Sequence, residues 1–158
     1  MMKVTLLLTL CALLGLPATT GSNGTGFQLT LRAQSPQSKK KPVTVEFTIQ
    51  NVSKKMLWLQ ETSVERDYEL EVRDSRGQDV QLTERGRTFR NNKGEVFRNI
   101  VVKFKPGEQK IDMIDVGSLF DLSKPGAYTV RATRRAVKID SRTDWAQVES
   151  NTVTFQVE

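Results

Sequence analysis

From Val43 to Gln50 apolar and polar residues alternate strictly. Val43, Val45, Phe47 and Ile49 fall on one face, and Thr44, Glu46, Thr48 and Gln50 on the other. A period of two built from β-branched and aromatic residues predicts an antiparallel β-strand with one buried and one wet face. The pattern recurs at Phe27–Arg32, at Asp67–Asp74 with Tyr68, Leu70 and Val72 inward, and at Asn99–Lys105 with Ile100, Val102 and Phe104 inward. It returns at Tyr128–Thr133 and closes the chain at Thr152–Glu158, where Val153, Phe155 and Val157 face in. Met56–Gln60, Asp79–Leu82 and Gln109–Val116 read as shorter or less regular strands. Trp58, inside the first of these, is expected in the core.

Turn signals separate the runs. Asn51-Val52-Ser53 and Ser75-Arg76-Gly77 reverse the chain, and Pro106-Gly107 predicts a type II turn, with Pro presetting φ and Gly taking the positive-φ position. Residues 117–124 have room for a single helical turn. Two stretches resist assignment. Thr83–Arg98 reads as irregular because Gly86, Gly94 and Asn91-Asn92 break regular structure, and Arg134–Asn151 reads as a second long excursion. The chain shows no repeat and no heptads. About eight or nine short strands joined by turns predict an all-β fold, an antiparallel β-sandwich in one domain.

Composition narrows the setting. Residues 1–22 stand apart from the rest: Lys3 gives a positive start, Val4–Leu16 is almost wholly apolar, and Pro17–Ser22 supplies small residues. That is the form of a cleaved secretory signal, which leaves residues 23–158 as the domain and places it in a secreted or periplasmic setting. The apolar run is too short to span a bilayer comfortably and none follows it, so no transmembrane segment is expected after cleavage. The one Cys, Cys11, lies inside that segment, so the domain is held without disulfides. A formal net charge of +6 favours acidic or anionic partners weakly. Lys39-Lys40-Lys41 reads as a solvated loop. Asn23-Gly24-Thr25 and Asn51-Val52-Ser53 match the glycosylation triplet.

The stretch Ser123-Lys124-Pro125-Gly126-Ala127-Tyr128 delivers a Tyr from a turn into the start of a strand. With the strand order and turns, it resembles the corner of immunoglobulin-like domains found in exported bacterial proteins, where the Tyr hydroxyl bonds back to the preceding corner. A narrower resemblance covers Val43 to Ala132. It runs through Val43–Asn51, Arg66-Asp67-Tyr68-Glu69-Leu70-Glu71-Val72 with Gly77 closing the hairpin, Lys105-Pro106-Gly107-Glu108 and Pro125-Gly126-Ala127-Tyr128. These pieces are similar to the Bacillus-type intracellular proteinase inhibitor family. The resemblance implies a β-sandwich and, as an alternative function, inhibition of serine proteases. The chain departs from the family after the hairpin Gly, where Asp79-Val80-Gln81-Leu82 stands in place of an aromatic.

The chemical inventory is thin. There is no His, which removes the commonest general base and metal ligand, and the domain has no thiol. Asp112, Asp115 and Asp121 offer hard oxygen ligands, but a spacing of three on a strand points Asp112 and Asp115 to opposite faces, so they read as surface acids. No enzyme activity, cofactor or metal is expected, and nucleic acid does not suit an exported chain. The expected function is a non-catalytic module for protein binding or envelope support. Its candidate contact residues are Arg85, Arg87, Phe89, Arg90, Lys93 and Arg98, a basic stretch suited to an acidic protein or, as a third reading, an anionic polymer or glycan. Trp145, in the other long excursion, is a candidate recognition anchor. Strand parity puts the two regions at opposite ends of the sandwich.

Overall fold

The structure, a computed structural model, describes residues 24–35, 37–38, 42–91, 100–137 and 145–158. Among the described residues, nine strands and three short helices follow one another: β1 (Phe27–Ala33), β2 (Thr44–Asn51), β3 (Leu57–Glu61), α1 (Val64–Asp67), β4 (Tyr68–Asp74), α2 (Glu84–Asn91), β5 (Ile100–Phe104), β6 (Gln109–Asp115), α3 (Val116–Leu119), β7 (Gly126–Val137), β8 (Trp145–Glu149) and β9 (Val153–Val157). These strands pair antiparallel with one another, and isolated parallel bridges join Leu29 to Ser150 and Gln37 to Val157. One sheet has the order β1-β2-β6; the other holds β3, β4, β5, β7, β8 and β9.

The long β7 organises the larger sheet. Along one edge it pairs with β4 over residues 128–134 and touches β3 at Trp58–Val137. Along the other edge β9 takes the first half and β8 the second. Thus β3 and β4 lie on the same edge of β7, interrupted by the excursion that contains α1. The core fills the space between the sheets with the inward sets predicted from alternation. Val45, Phe47 and Ile49 of β2, Leu29 and Leu31 of β1, Val130 of β7 and Phe155 of β9 are all buried. Burying such side chains is worth roughly 1.5–3 kcal/mol each and is the main favourable term.

Several expectations change. Asp79–Leu82 forms only isolated bridges, Arg73 to Asp79 and Leu82 to Phe120. Residues 84–91 of the stretch read as irregular form α2. Thr83 starts this helix, its Oγ1 accepting from the Gly86 amide at 3.0 Å and donating to the Ser118 carbonyl at 2.7 Å. Gly86 is present for close approach, since a Cβ there would sit 2.1 Å from the Leu119 carbonyl oxygen. The second excursion shrinks as well, because β7 runs on to Val137 and β8 begins at Trp145. Trp58 is not core: it is half-buried on the outer face, between the buried Leu57 and Leu59. Ile100, at the end of edge strand β5, is 49% exposed. The Pro106-Gly107 turn is as predicted, with Gly107 at φ 77° and the Glu108 amide donating to the Lys105 carbonyl.

Candidate functional site

Tyr128 enters β7 two residues after Gly126, and its hydroxyl donates to the Lys124 carbonyl at 2.6 Å. Its ring stacks on Phe155 at 6.1 Å. The predicted corner contact is therefore present, and burial pushes the phenol pKa up.

A second buried polar feature has no counterpart in the alternation pattern. Arg134 of β7 is fully buried, with 0% of its side chain exposed. Its Nη2 donates to Asp67 Oδ2 at 3.1 Å and to the Gln60 carbonyl at 3.2 Å, and its Nη1 stands 3.5 Å from Asp112 Oδ2. The guanidinium lies 4.6 Å from the centroid of the Tyr68 ring. The Tyr68 hydroxyl donates to Asp112 Oδ2 at 2.9 Å, and Lys110 Nζ reaches both Asp112 and Glu61. Asp67 also accepts from the amide and hydroxyl of Thr62. These groups tie β6 of one sheet to β4 and β7 of the other. Burial is the main cause of a strongly raised Tyr68 phenol pKa; Arg134 opposes it and Asp112 adds to it.

Asp112 is therefore a buried ion-pair partner and not a surface acid. Asp115 caps α3, accepting from the Ser118 amide, and the Asp121 carboxyl is held below the usual range first by the Ser123 hydroxyl and then by the Ser123 amide. Among the described residues no cluster of potential metal ligands occurs. Asn51 is fully buried and its amide donates to the Lys55 and Phe104 carbonyls, so its glycosylation triplet is closed in the fold. Asn23 of the other triplet, Lys39–Lys41 and residues 1–22 lie outside the described residues.

The basic candidates Arg85, Arg87, Phe89 and Arg90 all fall on α2, while Lys93 and Arg98 lie outside the described residues. Arg85, Arg87 and Arg90 are exposed. Arg85 makes a loose pair with Glu65 at 3.7 Å, and Arg87 donates to the Leu82 carbonyl at 2.8 Å. Phe89 is half-buried, with the Arg66 guanidinium 5.2 Å from its ring centroid, so its ring is an anchor already covered by a cation. Trp145 is 38% exposed at the start of β8, opposite Val137. The two regions do lie at opposite ends. Helix α2 rests on α3, beyond the Asp115–Thr44 end of the small sheet. Trp145 shares Val137 with Trp58, beside the Leu57–Phe104 pair and the far end of β2. Compared with known protein families and with curated proteins, the chain matches none significantly.

Proposed function

We propose that this chain is an exported, non-catalytic immunoglobulin-like module that binds a protein partner through α2. The observation that carries this reading is a helix clamped to the sandwich through Thr83 and Gly86 while Arg85, Arg87 and Arg90 stay exposed. Arg87 and Arg90, three apart on a clamped helix, share one side of it, and guanidinium groups on a pre-formed element lose little freedom on docking to carboxylates of an acidic protein face. Phe89 is covered, so α2 offers no flat ring for a sugar or base to stack on, and this disfavours a glycan at the same place.

The finer fold assignment is supported by the small sheet β1-β2-β6 set against a sheet centred on β7, and by the Tyr128–Lys124 contact at the start of β7. Export rests on the signal-like segment Met1–Ser22. The absence of His and of thiols in the domain supports a non-catalytic role, as does the mutual pairing of Arg134, Asp67 and Asp112. The inhibitor alternative rests on the sequence resemblance alone.

Capture tests this reading. The immobilised chain is exposed to the exported and envelope fraction of its host, beside an Arg85→Ala, Arg87→Ala, Arg90→Ala variant. One protein enriched by the native chain and lost with the variant is the expected result. Equal retention by both forms would remove α2 as the contact face, and a protease as the retained partner would favour the inhibitor alternative.

A further inference from the structure

The loop from Val52 to Met56, between β2 and β3, is tied down on its inner side and bare on its outer side. Asn51, fully buried, organises it. Its side-chain amide donates to the Lys55 and Phe104 carbonyls, both at 2.8 Å. Its Oδ1 accepts from the Ser53 amide at 2.9 Å and from the Ser53 hydroxyl at 2.8 Å. Ser53 Oγ accepts in turn from the Lys55 amide at 3.2 Å, and the Val52 amide donates to the Gly26 carbonyl. The Asn51 backbone also holds the Pro106-Gly107 turn, accepting from the Gly107 amide and donating to the Glu108 carbonyl. Loop and turn thus form one fixed surface at the end of the sandwich away from α2. The side chains left outside are apolar or basic. Val52 is 47% exposed and Met56 40% exposed, and Lys54, Lys55 and Lys105 are exposed as well. None of these lysines forms an ion pair among the described residues. The one acid of the loop and turn, Glu108, accepts from the Lys105 backbone amide at 2.7 Å.

We infer that this end of the sandwich docks on an anionic lipid surface. A single exposed Val or Met calls for no explanation, but here two flank a pair of unpaired lysines in one loop. Aliphatic side chains at a loop tip can enter the boundary between headgroups and acyl chains, where every buried methylene is favourable. Lysines beside them stay at headgroup level, attracted by negatively charged lipids, with their stems lying along the apolar layer. Composition separates this surface from one built for a protein. Protein contact sites favour Tyr, Trp and Arg and are poor in Lys, and neither the loop nor the turn holds an Arg or an aromatic residue. Helix α2 is the reverse, with three Arg and no Lys. Fixing the loop through Asn51 means that little order is lost when it docks. Ile111 and Met113 are more exposed still, but they lie flat on a sheet face where Met113 pairs with Glu46, and a flat face beside an acid does not enter a lipid layer. Docking through the loop turns α2 away from the bilayer, so the inference does not depend on the protein-binding reading.

The test is sedimentation with lipid vesicles. Every strand and helix described lies within residues 24–158, so residues 23–158 carry the fold. They also leave out the apolar run Val4–Leu16, which would bind lipid by itself. Vesicles of equal parts phosphatidylglycerol and phosphatidylcholine are compared with vesicles of phosphatidylcholine alone. Saturable binding to the anionic vesicles is expected, weakening as salt is raised, with little binding to the neutral ones. Lys54→Glu with Lys55→Glu should weaken it by about tenfold or more. Val52→Ser with Met56→Gln should weaken it by about threefold or more at unchanged charge. The four side chains are exposed and the loop is held by Asn51 and Ser53, so these variants keep the fold, as far-ultraviolet circular dichroism would confirm. Ile111→Ser, which removes an exposed apolar residue elsewhere, should bind as the native chain does. No binding to anionic vesicles, equal binding to both kinds, or unchanged binding in either loop variant would overturn the inference. So would a protein captured by the native chain and lost with the lysine variant while vesicles stay unbound, since that result gives this end to a protein.

Discussion

Tyr128 and Tyr68 are the chain's two tyrosines, and each is buried where the sandwich is fastened. Their partners differ in kind. Tyr128 bonds a neutral carbonyl four residues back, so its contact is local and follows once the Pro125-Gly126 turn has formed. Tyr68 bonds the carboxylate of Asp112, 44 residues away, in a site shared with Arg134 and Asp67. The first is a hydrogen bond that staples a corner. The second belongs to a charged knot that has meaning only when both sheets are in place. Removing a neutral bond costs about 1 kcal/mol, whereas removing one member of a buried charged group leaves the others desolvated and unpaired.

Breaking the knot at its centre should give the largest effect. Arg134→Ala strands Asp67 and Asp112 in the interior and should lower stability by about 3–5 kcal/mol in urea unfolding. A loss under about 1 kcal/mol would mean that the carboxylates find other partners. Tyr68→Phe comes next. Asp112 keeps Lys110 and Arg134 but loses a buried donor, for a cost of about 1–3 kcal/mol. Tyr128→Phe should cost about 1 kcal/mol, since the Lys124 carbonyl lies near the surface and water can replace the hydroxyl. The double variant should equal the sum of the two within about 0.5 kcal/mol, because the sites share no partner. A larger coupling would show that corner and knot close as one unit.

Alkaline titration sharpens the same comparison, with little effect at neutral pH. Both phenols have raised pKa values in the fold, so the fold favours their neutral forms. Their contribution is complete below the ordinary phenol value of about 10 and is lost as pH rises through it towards the folded values. The urea midpoint should fall above about pH 10, more steeply in the native chain than in the double Phe variant. Identical profiles for the two would show that the phenols carry no such linkage.

What could be read from the chain follows this divide between local and distant causes. The alternation of Val43–Gln50 marks β2 because each residue's face is set by its neighbours. The Pro106-Gly107 turn and the Tyr128 corner were legible for the same reason. In β6, Ile111 and Met113 are exposed while Asp112 and Ile114 are buried, and it is the distant Tyr68 and Arg134, with Lys110, that explain why an acid points inward there. Helix α2 was hidden by Gly86, normally a helix breaker, whose reason is the Leu119 carbonyl some thirty residues later. The Thr83 cap was the one local sign of it. Trp58 faces outward because its neighbours Leu57 and Leu59 take the core side of β3. The basic stretch was visible as composition, but its shape as a helix was not. The pairing of Trp58 with Trp145 through Val137 lies in strand register, which the sequence does not display.

Strand β7 touches four other strands and occupies residues 126–137 of a 158-residue chain. A chain delivered from its N-terminus therefore has no central strand for the larger sheet until most of its length has emerged. The small sheet waits as well, since β2 needs β6. Non-local pairing of this kind folds slowly, on the order of milliseconds to seconds. The order of elements thus leaves both sheets incomplete until β6 and β7 are present, whatever strands have formed before them.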